Sequence, residues 1–168
     1  MINKSELIFH VLKVIRGTTV DGPGFRTAIY LSGCSHHCKG CHNPQSWDPN
    51  LGEHFSLNDL MDIVNEEDFD VTLTGGDPLF CPESTSILVN ELKKNRRNVW
   101  IYTGYTWEEI ISQPEFLNAI KKADVLVDGK FDEKLRNIDL PFRGSSNQRI
   151  IDIQNSLKLD KVFLYQKN

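Results

Sequence analysis

No stretch of this chain is apolar for long enough to span a bilayer, which excludes a transmembrane helix. It also lacks an excess of basic residues. Lys and Arg number 19 against 23 Asp and Glu, a formal net charge of -4, so the electrostatic footprint of a nucleic-acid-binding protein is missing. The first residues, Met1 to Glu6, have neither the basic start nor the apolar core of a secretory signal, which predicts a cytoplasmic protein. Internal repeats, low-complexity tracts and long linkers are absent, so residues 1–168 are expected to form a single domain. Cysteine is scarce but crowded: of four, three fall between Cys34 and Cys41. In a reducing compartment such crowding reads as metal binding before disulfide bonding.

Short apolar, β-branched runs at Leu7–Ile15, Thr27–Leu31, Val71–Thr74, Val99–Thr103, Asp124–Val127 and Arg149–Ile153 read as strands. Helical periodicity separates several of them. Ser56 can cap a helix carrying Leu57, Leu60, Met61 and Val64 on one face, and a second spans about Glu83 to Lys94. Thr106-Trp107-Glu108-Glu109 has the form of a capping box at the start of a third, which Pro114 interrupts, and a further helix covers Glu115 to Lys122. Alternation of this kind implies βαβ units and an α/β fold with a mostly parallel sheet. The chain is shorter than the roughly 250 residues of a complete (β/α)8 barrel, so an open, truncated (β/α) partial barrel is expected. In such folds ligands gather at the carboxyl ends of strands.

The first strand-end motif is Gly33-Cys34-Ser35-His36-His37-Cys38-Lys39-Gly40-Cys41-His42, with the spacing C-x3-C-x2-C. Iron–sulfur clusters are normally held by four thiolates. With only three local, one iron of a [4Fe-4S] cubane stays open to a small molecule. A competing reading is a zinc knot made of the three cysteines with His36, His37 or His42, which would make the protein an adaptor without redox chemistry. Zinc sites, however, usually place a second ligand pair farther along, and none exists here. The second motif, Gly75-Gly76-Asp77-Pro78, comes directly after the Val71–Thr74 strand. Alone it is a turn. Its glycines nevertheless bare strand-end backbone whose carbonyls can accept hydrogen bonds from an ammonium group. Cys81, four residues beyond Asp77, would close the open iron if it were a ligand; it reads as an ordinary buried or half-buried thiol.

Taken together, the two motifs resemble those of the radical S-adenosylmethionine superfamily. That resemblance implies Cys34, Cys38 and Cys41 as ligands of a [4Fe-4S] cluster whose open iron chelates the amino and carboxylate groups of S-adenosyl-L-methionine. Gly75, Gly76 and Asp77 then meet the methionine end, with Asp77 where the superfamily carries Glu. Many members have an aromatic residue before the last cysteine, near the adenine. Gly40 stands there, so contacts would come from the backbone of Gly40 and Cys41 or from His42.

Three more segments narrow the resemblance: Val20-Asp21-Gly22-Pro23-Gly24, the strand ends around Thr103-Gly104 and Val127-Asp128-Gly129-Lys130, and Gly144-Ser145-Ser146-Asn147-Gln148-Arg149. In this order they are similar to the activating components of anaerobic ribonucleoside-triphosphate reductases, over about Val14 to Asp152. The resemblance implies a glycyl-radical-enzyme activase. Its partners would be the large glycyl-radical subunit of the reductase and a flavodoxin- or ferredoxin-type electron donor. Activation of another glycyl-radical enzyme of the pyruvate formate-lyase type, or action on a small molecule, are the alternatives. No cysteines remain for a second cluster, and Tyr102 stands where larger activases tend to have Asp, so no ion-binding role is expected there. Thr103, Asp128 and Lys130 are candidate S-adenosylmethionine contacts by rim position, with a solvated turn as the competing reading for each. Arg143 and Arg149 could meet the carboxylate or the partner, although surface arginines usually do neither. Trp47 and Trp107 read as packing residues, no role is assigned to His10, His36, His37 or His54, and Val162–Tyr165 reads as a last strand or a docking segment.

Overall fold

A computed structural model describes residues 7–166. Strands β1 (Ile8–Thr18), β2 (Arg26–Leu31), β3 (Glu53–Ser56), β4 (Asp70–Gly75), β5 (Val99–Tyr102), β6 (Val125–Asp128) and β7 (Arg149–Asp152) form one open sheet. Its order is β3-β1-β2-β4-β5-β6-β7. Only the central β2, β4, β5 and β6 are parallel. The ends are antiparallel: β1 pairs with β2 and β3, and β7 pairs with β6. The expected mostly parallel sheet is therefore a mixed one, parallel at its centre. Two elements went unread in the sequence. Strand β3 is short and polar outside Phe55, and α5 (Ile153–Leu159) starts where a strand was expected to end, with the Asp152 carboxylate capping Asn155 N.

The other helices follow their local signals. Ser56 and Asp59 form a capping box on α1 (Leu57–Glu66), and Thr106 and Glu109 form another on α3 (Trp107–Ile111). Pro82 and Pro114 open α2 (Pro82–Lys94) and α4 (Pro114–Ile120), where a missing N–H costs nothing. The helices bury one face of the sheet, where Ile29, Leu73, Ile101, Leu126 and Ile151 pack with Leu60, Leu88, Leu92, Ile110 and Ile120 in a single cluster. The opposite face carries a smaller cluster around Trp100, Val125 and Val127, joined by Phe142 and Tyr165. Beside it the fully buried Arg26 guanidinium donates to Thr72 Oγ1 at 2.8 Å and to the Val71 carbonyl at 2.7 Å. Asp21 lies on this face too, accepting from Tyr30 Oη and Thr18 Oγ1. The tail closes against β7, where Tyr165 N donates to the Ile150 carbonyl at 2.8 Å. No helix among the described residues is long and apolar enough to cross a membrane.

Parallel strands send all their carboxyl ends to one rim. Leu31, Gly75, Tyr102 and Asp128 end there, succeeded by the cysteine loop, Gly76-Asp77, Thr103-Gly104 and Gly129-Lys130. The topology alone therefore gathers segments separated by about a hundred residues at one place.

Candidate functional site

The cysteine loop leaves β2 and is pinned to the end of β4 by backbone. Gly76 N donates to the Leu31 carbonyl at 2.7 Å, Asp77 N to the Gly33 carbonyl at 2.8 Å, and Gly33 N to the Ser46 carbonyl at 2.8 Å. This contact demands glycine. A Cβ on Gly76 would sit 2.4 Å from the Gly33 oxygen, and Gly75, at φ +102°, would drive one into the backbone of Tyr30 and Leu31. Two motifs that are each a turn in isolation are thus one structural unit.

Cys34, Cys38 and Cys41 are half-buried free thiols, and all three line one open cavity of about 200 Å³. Burial pushes the Cys34 and Cys38 thiols above the ordinary value, with smaller opposing hydrogen bonds from the backbone of His36 and His37 at Cys34 and of Phe131 at Cys38. Across the cavity stand Thr74, Gly75, Gly76, Asp77 and Thr103, with His42 and Phe131 at its mouth. Among the described residues no three His, Cys, Asp or Glu side chains are drawn together closely enough to hold a metal ion. Three cysteines lining one cavity together with bare strand-end backbone fit a polynuclear cluster held by three thiolates. Cys81 is exposed and lines a different recess, with Pro49, Ser84 and Thr85. Cys81, directly before Pro82 at the start of α2, is thus more exposed than the expected buried or half-buried thiol.

The remaining expected site residues divide. His42, Gly75, Gly76, Asp77 and Thr103 line the cavity with the cysteines. Gly40 does not; at φ +76° it lies against the Glu133 side chain. Asp128 and Lys130 line a neighbouring open cleft that shares Gly104 and Gly129 with the cavity. Lys130 is exposed there. The Asp128 carboxylate, 1% exposed, is consumed by Trp107 N at 2.8 Å and by Arg149 Nε at 3.1 Å. Arg149 also grips Glu108 through both oxygens, at 3.1 and 2.7 Å. Hydrogen bonds to Asp128 and then Glu108 push the Arg149 guanidinium up, and the Arg149 bond holds Glu108 below the usual carboxylate range. The Gly144–Arg149 segment is a strut for the rim: Gln148 Nε2 donates to the Gly129 carbonyl at 3.0 Å and Asn147 Nδ2 to that of Lys130 at 2.8 Å. Arg143 joins the same strut through the Gln148 carbonyl at 2.7 Å. Tyr102 lines the cavity and donates to the Phe142 carbonyl at 2.7 Å; burial pushes its phenol up.

Of the two histidines inside the cysteine loop that the sequence leaves without a role, His36 lines the cavity and His37 does not. His36 contacts the Asp77 carboxylate through Nε2 at 2.7 Å, both side chains nearly fully buried. His37, at φ +48°, stacks on Trp47 with ring centroids 4.7 Å apart, on the loop's exposed side. Nothing local marks either one, since their partners lie in other segments.

A family model for a 4Fe-4S single cluster domain matches residues 20–151. An anaerobic ribonucleoside-triphosphate reductase-activating protein of enterobacteria phage T4 is 36% identical over 139 residues, covering 78% of this chain and 86% of that protein. The protein of that name from Escherichia coli K12 is 35% identical over 141 residues, covering 77% and 89%. The one from Pasteurella multocida is 36% identical over 143 residues, covering 78% and 89%. With the cysteine loop and its glycine seat inside the matched span, the chain belongs to the family of anaerobic ribonucleoside-triphosphate reductase-activating proteins.

Proposed function

We propose that this single domain is a radical S-adenosylmethionine activase that places a glycyl radical on the large subunit of an anaerobic ribonucleoside-triphosphate reductase. The observation that carries the reading is the three-thiolate cavity with its fourth side open to strand-end backbone. Cys34, Cys38 and Cys41 hold the [4Fe-4S] cluster, and Cys81, in another recess, leaves one iron free. When bound, cluster and S-adenosylmethionine together supply the chemistry. That chemistry would be the one-electron reductive cleavage of S-adenosylmethionine, with a hydrogen atom ultimately drawn from a glycine Cα of the partner.

The chain's own residues bind and orient. Gly75 and Gly76 present backbone at the end of β4, where carbonyls can accept from the methionine ammonium. Asp77 supports that end through its charge and through the backbone turn, because its carboxylate oxygens are engaged by Thr103, Gly104, Leu79 and His36. His42, exposed beside Phe131 with ring centroids 5.7 Å apart, would meet the adenine. We read the open sheet as a truncated barrel, whose missing strands leave a wide mouth for a protein substrate, and the donor as a flavodoxin- or ferredoxin-type protein of the cytoplasm.

Anaerobic reconstitution tests this. A brown protein with about four irons and four sulfides, bleached by reductant, yielding 5′-deoxyadenosine and an electron paramagnetic resonance doublet on the large subunit, is the expected result. A colourless protein holding stoichiometric zinc under the same conditions refutes it.

A further inference from the structure

Asp77 is 3% exposed, yet four donors from this chain surround its carboxylate. Leu79 N reaches Oδ1 at 2.8 Å, Thr103 Oγ1 lies 2.9 Å from both oxygens, Gly104 N reaches Oδ2 at 2.9 Å, and His36 Nε2 lies 2.7 Å from Oδ2. Three of these donors come from the ends of β4 and β5. The fourth comes from the cysteine loop, two residues after Cys34 and two before Cys38. A carboxylate only accepts, so Nε2 carries the hydrogen and donates. The imidazole is further held edge-on by Tyr105, with ring centroids 4.5 Å apart. It also lies flush on Gly104, where a Cβ would come within 2.3 Å of its Cδ2. No positive φ accompanies Gly104, so the ring above it is the close constraint at that position.

We propose that His36 is a positioning residue for the cluster. Locked between the Asp77 carboxylate, Tyr105 and Gly104, it ties the Cys34–Cys38 arc to the ends of β4 and β5, so that the sulfurs are arranged before any iron arrives. The loop's other side-chain anchors lie on its exposed side, in the His37–Trp47 stack and the Lys39–Glu133 ion pair at 3.3 Å. Between Cys34 and Cys41 its backbone bonds are Cys34 N to the Trp47 carbonyl at 3.4 Å and the local turn from Cys41 N to Cys38 O at 3.1 Å. His36 is the one side chain of this arc whose ring is bound to both neighbouring strand ends. The inference rests on the cluster reading for its consequence, but the clamp itself is a property of the metal-free chain.

Five proteins test it: the natural chain, His36→Ala, His36→Gln, Gly104→Ala and the His36→Ala/Gly104→Ala double variant. Two quantities are read: amide hydrogen exchange of residues 34–42 in the metal-free chain, and the rate of cluster loss to a chelator after anaerobic reconstitution. His36→Ala and Gly104→Ala are expected to speed both by about tenfold or more, the scale of one charge-assisted hydrogen bond. His36→Gln restores a donor of similar reach and should return close to the natural rates. The double variant should be no worse than His36→Ala alone, because the added methyl then meets no ring. Unchanged exchange and cluster lifetime in His36→Ala overturn the clamp, as does a double variant that multiplies the two single effects. If His36→Ala fails to fold, Gly104→Ala, which leaves every polar partner present, carries the same test. A natural chain that binds no cluster overturns the cluster reading, while the metal-free exchange data still judge the clamp.

Discussion

Replacing Gly76 by Ala perturbs the seam between the two motifs and little else. The new Cβ would lie 2.4 Å from the Gly33 oxygen and 3.0 Å from the Ser46 oxygen, both backbone atoms, whereas ordinary contact begins near 3.4 Å. The Gly33 peptide must therefore retreat by about 1 Å, which stretches the 2.8 Å bond from Asp77 N and the 2.8 Å bond from Gly33 N to Ser46 beyond useful length. The 2.7 Å bond from Gly76 N to Leu31 tilts with them. Two to three buried backbone bonds at about 0.5–1.5 kcal/mol each predict a loss of about 1–4.5 kcal/mol in the metal-free chain. For a chain of this size that is about 2–18 °C in Tm. Urea unfolding followed by far-ultraviolet circular dichroism measures the first number and calorimetry the second. Cluster assembly should suffer more than stability, because the displaced peptide leads straight into Cys34. A Gly76→Ala chain with natural stability and natural iron content would refute the claim that the motifs form one unit.

Alanine at Cys34, Cys38 or Cys41 should each abolish cluster absorbance, whereas Cys81→Ala should leave iron content unchanged; loss of cluster in the latter would show that the open-iron geometry is wrong. Arg149→Met strands the buried Asp128 charge and is expected to cost about 2–4 kcal/mol in denaturant unfolding, below the full value of a buried pair because Arg149 is one-third exposed. Adding Asp128→Asn should recover part of that loss, and failure to do so would contradict the strut reading. Burial, reinforced by Asp21, pushes the Tyr30 phenol up to about 12. A group raised in the folded state contributes stability that is complete below its unfolded pKa near 10 and disappears as pH climbs through 12. Stability should thus fall between pH 10 and 12, and Tyr30→Phe should flatten that segment of the curve.

Much of this was legible locally. The helix caps at Ser56 and Thr106, the prolines opening α2 and α4, and four nearly continuous apolar strands are properties of a few consecutive residues, and each stands within a residue or two of its expected place. Strand β3 was not readable because its pairing with β1, not its composition, makes it a strand. The candidate rim residues Asp128 and Lys130 both line the cleft beside the cavity, and the Asp128 carboxylate is taken up by Arg149, a neighbour across an antiparallel pair that local sequence does not reveal.

The donor set is written locally in the chain: three thiolates at C-x3-C-x2-C and a glycine pair after the following parallel strand, because ligand spacing and backbone freedom belong to a few consecutive residues. Packing across the sheet, and nothing short of it, places Cys81 elsewhere, turns Gly40 toward Glu133, and spends Asp77 on His36 and Thr103. Those partners lie 41 and 26 residues from Asp77, and only the strand order of a parallel sheet, which delivers every carboxyl end to one rim, brings such distant side chains within hydrogen-bonding distance.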